Sequence, residues 1–231
     1  MLLSTPEYFY FLVLIFLVYW LVRRVRMAGV AVVCVANCFF YAKWALVYLA
    51  LVPLASTCDF LIGRALGRTE RPGLRRLLVS TSLAINIGLI VTCKYVPHLM
   101  GTWAHWDGQA SASAGWVLPL GLSFYALQAL TYTLDVYRRD AKPADSYFAY
   151  LASVSFFPTT LAGPITRVAT VLPQWGKAGI VTSEEGGRAL FLIGLGLAKK
   201  FLIADYLATN LINRVFDLPT LYSGGDVSVA V

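Results

Sequence analysis

The chain has 231 residues, of which 58% are hydrophobic and only 13% charged, and its mean hydropathy is +0.68. A water-soluble domain carries about 25% charged residues, so this chain has too few charges to cover a globule in water. The net charge of +7 does not point to nucleic acid: Lys and Arg fall between apolar runs, as the positive-inside bias places them, and no basic helix face is interleaved with aromatics.

The first apolar run, YFYFLVLIFLVYWLV at 8–22, has Glu7 before it and RRVR at 23–26 after it. That order is the reverse of a signal peptide, so the run reads as a retained first helix. Further spans are expected at 28–41, 44–62, 77–96, 116–136, 147–162 and 188–207, of which 28–41 is short for a span and is tilted, kinked or packed with the next as a hairpin. The expected fold is therefore all-α, a polytopic transmembrane helical protein with six or seven membrane segments in one domain over 1–231 and no soluble domain. Cys34, Cys38, Cys58 and Cys93 lie inside apolar runs. With no His or further Cys near enough to complete a metal site, they read as small buried apolar residues.

Charge sets the orientation. Arg23, Arg24 and Arg26, then Arg64, Arg68, Arg71, Arg75 and Arg76, then Arg138, Arg139 and Lys142 together make up more than half of the 19 Lys and Arg. The alternate connections hold Lys43 and, across 97–115, no basic residue. The rule puts the basic loops in the cytoplasm, with the N-terminus and 97–115 outside, where Trp103, Trp106 and Trp116 suit an interfacial belt. Asp135 stands four residues before Arg139 and three before Arg138, a spacing that permits a helix pair, with a cavity role as the alternative.

The alternation fails after 147. If 147–162 crossed the bilayer, Arg167, Lys177 and Arg188 would fall outside. The stretch SVSFFPTTLAGPITRV at 153–168 also carries Pro158, Gly163 and Pro164, which remove a backbone donor and push the chain out of helical geometry. Non-helical backbone at membrane depth is tolerated only where protein buries it or a wet cavity meets it. The segment is therefore expected to be re-entrant, to leave helical geometry over 158–164 and to border a cavity with Arg167 near its mouth. Gln128, Ser123 and Tyr125 line that cavity or bond within the core. Lys199 and Lys200 interrupt an apolar helix shortly before Asp205 and mark either a functional site or an interface.

LPLGLSFYALQALTYTLDVYR at 118–138, SFFPTTLAGPITR at 155–167 and GLGLAKKFLIAD at 194–205 resemble the membrane-bound O-acyltransferases. The resemblance is greatest to the branch of bacterial alginate O-acetylation membrane proteins, with the D-alanyl transfer protein of teichoic acid as a cousin. STPEYFYFLVLIFLVYWLV at 4–22, CFFYAKW at 38–44 and KY at 94–95 match that branch too. The pattern departs at Thr159, where the family carries Gln or a similar polar residue. Members are considerably longer, and their essential histidine lies in an apolar helix beyond the KK…AD motif. His98 and His105, the two histidines here, sit in the expected outer loop and not in that context, so no catalytic residue is assigned.

The resemblance implies the N-terminal part of a multi-pass inner-membrane enzyme. It would transfer an acyl group, in this branch acetyl, from a cytoplasmic thioester such as acetyl-CoA or an acyl carrier to an exported polysaccharide such as alginate. The donor is a substrate, and no cofactor or metal is implied. The partners implied are the lipid bilayer, the acyl donor and periplasmic or extracellular proteins of polysaccharide acetylation. The site candidates are Gln128, Pro158, Gly163, Pro164, Arg167, Lys199 and Lys200. The rival readings are a non-catalytic membrane scaffold and a transporter or flippase for the polysaccharide.

Overall fold

The computed structural model describes residues 6–43, 46–96, 99, 121–176 and 181–217, and among them it is all-helical, with no strand. The chain divides into two compact units, Met1–Ala178 and Gly179–Val231. His98, His105, Trp103, Trp106 and Trp116 lie outside the described residues.

In the first unit, α1 (Pro6–Val22) and α2 (Arg26–Ala42) are joined by a short turn and pack together. α3 (Val47–Arg68) and α4 (Pro72–Ile90, continued as π-helix through Val91–Tyr95) follow. Among the described residues, two stretches, Leu49–Arg68 and Pro72–Tyr95, are long and apolar enough to cross a membrane. Both helices extend further into the basic loop than the hydropathy pattern indicates. Arg64 and Arg68 belong to α3, and Arg75 and Arg76 belong to α4. Arg is a good helix former, so a helix does not stop where its apolar run stops. Pro72 starts α4 in the first turn, where its missing N–H is not needed.

α5 (Leu122–Arg138) is the central helix, and ten of its residues are buried. Ala126 and Ala129 are fully buried, and such small residues let helix backbones approach closely in a membrane. α5 ends at Arg139, which adopts φ 69°, and its side chain pairs with Glu70. The expected Asp135–Arg139 helix pair does not form, because the left-handed residue leaves the helical face. Arg75 is the main stitch at this end. Its guanidinium donates to the carbonyls of Leu66 (2.5 Å) and Thr69 (3.1 Å) at the end of α3, and to Val136 (3.3 Å) and Tyr137 (2.6 Å) at the end of α5. One cation thus meets carbonyls at two helix C-termini, where intrahelical donors run out, although Val136 also accepts from the Arg139 N–H, and it faces the negative end of both dipoles.

The segment 147–162 is not one span. α6 (Tyr147–Val154) stops at Ser155, α7 (Phe157–Ala162) is a separate short helix, and α8 (Val168–Val171) runs into a 3₁₀ turn at Leu172–Gly176. The expected departure from helix over 158–164 is displaced. Residues 158–162 are helical, and the breaks fall at Ser155–Phe156 and from Gly163 to Arg167. Pro158 lies in the first turn of α7, where proline starts a helix instead of breaking one.

The second unit holds α9 (Ser183–Ala198), capped by Thr182. The Thr182 hydroxyl accepts from the Glu185 N–H (3.2 Å) while the Glu185 carboxylate accepts from the Thr182 N–H (2.9 Å). The bonds that reach the carboxylate, from the Thr182 N–H foremost and from the Thr182 hydroxyl (3.0 Å), hold the Glu185 carboxyl below its ordinary pKa. π-Helix at Lys199–Ala204 and Ala208–Ile212 alternates with α10 (Asp205–Leu207), and α11 (Asn213–Asp217) follows.

Large apolar side chains stand exposed along both units: Leu14, Leu17 and Leu21 on α1, and Leu190 and Phe191 on α9. Such a surface suits hydrocarbon, not water.

Candidate functional site

The broken segment from Ser155 to Val168 is gripped by two helices. α5 offers Gly121, Phe124, Gln128 and Thr131, spaced so that they form one stripe of its surface. At Gly121 (φ 78°) a Cβ would stand 2.2 Å from the Thr160 carbonyl oxygen, so only glycine lets α5 begin against α7. One turn on, Phe124 lies beside Gly163, where a Cβ would meet its Cε1 at 3.1 Å. Gln128 is fully buried. Its Nε2 donates to Thr159 Oγ1 (3.1 Å) on α7 and to Thr166 Oγ1 (2.9 Å) beyond the break. The Thr131 hydroxyl oxygen accepts from the Val168 N–H (3.3 Å), which begins α8. Gln128 therefore ties together the two limbs that Gly163 separates, and its Oε1 has no partner among the described residues.

α2 holds the other break. The Asn37 amide donates to Ser155 Oγ (3.0 Å), and its carbonyl oxygen accepts from the Phe157 N–H (3.1 Å), a free donor at the start of α7. One turn along, the Tyr41 hydroxyl donates to Thr160 Oγ1 (3.1 Å). The Phe157 N–H and the Ser155 and Thr160 hydroxyls at this interruption thus each meet a side chain, as burial favours.

Of the residues singled out from the sequence, Gln128, Pro158, Gly163 and Pro164 come together in this assembly. Gly163 has φ 69° and ψ −168°, a conformation essentially restricted to glycine, and the Gly163–Pro164 bond is cis. Pro158 lines a cleft of about 310 Å³ with Tyr19, Trp20, Phe156 and Trp175. Gly163 and Pro164 do not border it. Arg167 caps α8 with its backbone and exposes its side chain. Lys199 and Lys200 belong to the second unit, where Lys200 pairs with Asp205 at 2.8 Å. Tyr125 bonds within the core, to Ser56 Oγ (2.7 Å) and the Val52 carbonyl (3.1 Å). Thr159, although it departs from the family pattern, makes a polar contact through Gln128.

The opposite side of α5 faces a second polar cluster that the sequence reading passed over. Asp59 of α3 is fully buried. Its Oδ1 accepts from the Ser82 hydroxyl (2.6 Å) and its Oδ2 from the Asn86 amide (2.9 Å), both on α4, and Ser82 lies 3.0 Å from Thr133 on α5. The signal was present: a carboxylate within the apolar run STCDFLIG, and Ser82 and Asn86 one helical turn apart. This cluster joins α3, α4 and α5, and so fixes the helix that presents the Gln128 stripe.

No family model matches the chain, and no solved structure does. Curated relatives do. The chain is 26% identical over 199 residues to the peptidoglycan O-acetyltransferase of Helicobacter pylori, which covers 75% of this chain and 38% of that protein. It is 28% identical over 182 residues to the probable alginate O-acetylase AlgI of Pseudomonas putida, covering 75% of this chain and 37% of that one. For its counterpart in Pseudomonas aeruginosa the identity is also 28% over 182 residues, with 75% and 34% covered. The match thus spans little more than a third of the relatives' own length. Over three quarters of its residues, this chain is similar to proteins named peptidoglycan O-acetyltransferase and probable alginate O-acetylase, which are members of the membrane-bound O-acyltransferase family.

Proposed function

We propose that the chain forms the N-terminal part of a multi-pass inner-membrane O-acetyltransferase that modifies an exported polysaccharide. The observation that carries this reading is the homology to proteins named for O-acetylation of peptidoglycan and alginate, spread over 75% of the chain. The broken segment supports it. Acetyl transfer from a cytoplasmic thioester to an acceptor on the other side needs a path through the protein, and an interrupted helix held by side-chain bonds to its neighbours is one way to wall such a path.

In the reaction, the acceptor hydroxyl oxygen attacks the thioester carbonyl. The C–S bond breaks, the ester forms, and the hydroxyl proton leaves with the thiol. That chemistry asks for a base near the hydroxyl and donors for the oxyanion. The segment from Ser155 to Val168 is read as part of the wall, with Gln128 as a positioning residue, and not as the base. The basic loops at 64–76 and 138–142 face the cytoplasm in this reading, and the N-terminus lies outside.

The test uses membranes containing the full-length protein, acetyl-CoA labelled in its acetyl group, and the exported polymer. Label should appear in the polymer as base-labile ester and depend on the protein. Ester formation that persists unchanged without the protein would refute the reading. Single cysteines in place of Arg71 and Gly108, on a cysteine-free background, test the orientation. An impermeant reagent applied to intact cells should label position 108 and spare 71, and the reverse would overturn it.

A further inference from the structure

A second built site lies at the end of α3, away from the broken segment. The loop after α5 is pressed onto the last turn of α3: a Cβ on Gly67 would stand 2.2 Å from Pro143 Cγ. The loop is also pinned from within, because the Tyr132 hydroxyl oxygen accepts from the Ala144 N–H (3.1 Å) and the side chains of Arg139 and Glu70 pair across it. Between the two walls is a cleft of about 240 Å³ lined by Arg64, Arg68 and Lys142, with Asp145 the carboxylate on its rim. Arg64 leans over the Phe60 ring, 5.7 Å from its centroid. Among the described residues, none of these three cations forms a salt bridge. Three cations against one carboxylate leave an excess of two positive charges in one cleft.

Depth selects the ligand. Leu49–Arg68 is a stretch able to cross the membrane, so Arg64 and Arg68, in its final two turns, stand where hydrocarbon gives way to headgroups. A general excess of Arg and Lys follows from the positive-inside bias. Their convergence from two separate segments onto one cleft does not.

We propose that this cleft binds the phosphate of an anionic phospholipid headgroup, with Arg64 and Arg68 on one side and Lys142 on the other. Arg supplies a planar fork of donors to phosphate oxygens and Lys supplies a point charge. The proposal is independent of acetyl transfer, and its test does not read activity.

The full-length protein is placed in nanodiscs of phosphatidylcholine doped with phosphatidylglycerol. The phosphatidylglycerol retained after extraction is counted by native mass spectrometry. The comparison is between wild type, the Arg68→Gln/Lys142→Gln double variant and Arg24→Gln. All three substituted side chains are exposed, so the fold tolerates the changes. A hydrogen bond to a charged group contributes about 1.5–3 kcal/mol, so losing two cationic donors should cost the double variant at least about a hundredfold in retained lipid, whereas Arg24→Gln removes only diffuse attraction of about 1 kcal/mol and should stay within about fivefold of wild type. Inorganic pyrophosphate, added as a free phosphate source, should displace the lipid only weakly. Equal losses in the double variant and Arg24→Gln would mean diffuse attraction and would overturn the proposal. So would unchanged retention in the double variant, or displacement of the lipid by pyrophosphate as readily as by added phosphatidylglycerol, which would assign the cleft to free phosphate.

Discussion

Replacing Arg75 with Met keeps most of the side chain's volume and removes its charge and all its donors. Four carbonyls then lose a partner, two of them at short range: Leu66 at 2.5 Å and Tyr137 at 2.6 Å. A hydrogen bond to a charged group contributes about 1.5–3 kcal/mol. Counting only the two short ones gives about 3–6 kcal/mol. Helix ends near the membrane surface regain some water, so a loss of about 3–5 kcal/mol is expected, similar to breaking a buried ion pair. Arg75→Lys should lose about half as much, because an ammonium keeps the charge but cannot reach the ends of α3 and α5 at once. Equilibrium unfolding of the full-length protein in mixed micelles, followed by tryptophan fluorescence, gives these differences. An Arg75→Met protein within about 1 kcal/mol of wild type would refute the claim that this cation joins the two helix ends.

Three further expectations follow from the same contacts. Asp59→Ala strands the Ser82 hydroxyl and the Asn86 amide and should cost about 2–5 kcal/mol, whereas Asp59→Asn, which keeps the shape and one acceptor, should cost clearly less; equal losses in the same unfolding assay would contradict the network. A double-mutant cycle between Gln128→Leu and Thr166→Val should return a coupling of about 1 kcal/mol, and a value near zero would mean that the bond across the break does not form. Gly121→Ala places a Cβ against the Thr160 carbonyl at positive φ and should cost more than about 2 kcal/mol. Gly73→Ala, which meets nothing within 4 Å, should be neutral or stabilising by up to about 1 kcal/mol.

The interruption after Tyr147 was legible in the sequence, because two prolines, a glycine and a failed charge alternation coincide there. Its position was not. Pro158 looks like a breaker, but a proline in the first turn begins a helix, and the true stops are Ser155, through its contact with Asn37, and Gly163. Asn37 and Ser155 are 118 residues apart, and nothing local in either neighbourhood announces the bond. Gln128 stood out as a polar residue in an apolar helix. Its companions Gly121, Phe124 and Thr131 become a stripe only once the partner segment lies against them. Arg75 counted as one loop charge among five, because hydropathy marks where apolar residues end and not where the helix does. Asp59 carried the ordinary signal of an intramembrane carboxylate, yet its donors come from another helix.

The claim that most needs testing is that the segment from Ser155 to Val168 belongs to the acetyl-transfer apparatus. Gly163 is the sharpest probe, because an added methyl group must fit a conformation that costs about 1–3 kcal/mol for other residues and must stand 3.1 Å from the Phe124 ring. The measurement is the rate of acetyl transfer to the exported polymer by the full-length Gly163→Ala protein, at membrane levels matched to wild type. The account predicts a fall of at least about tenfold, the rate equivalent of about 1.4 kcal/mol. A rate equal to wild type, from a protein shown to carry the substitution and to insert normally, would contradict it.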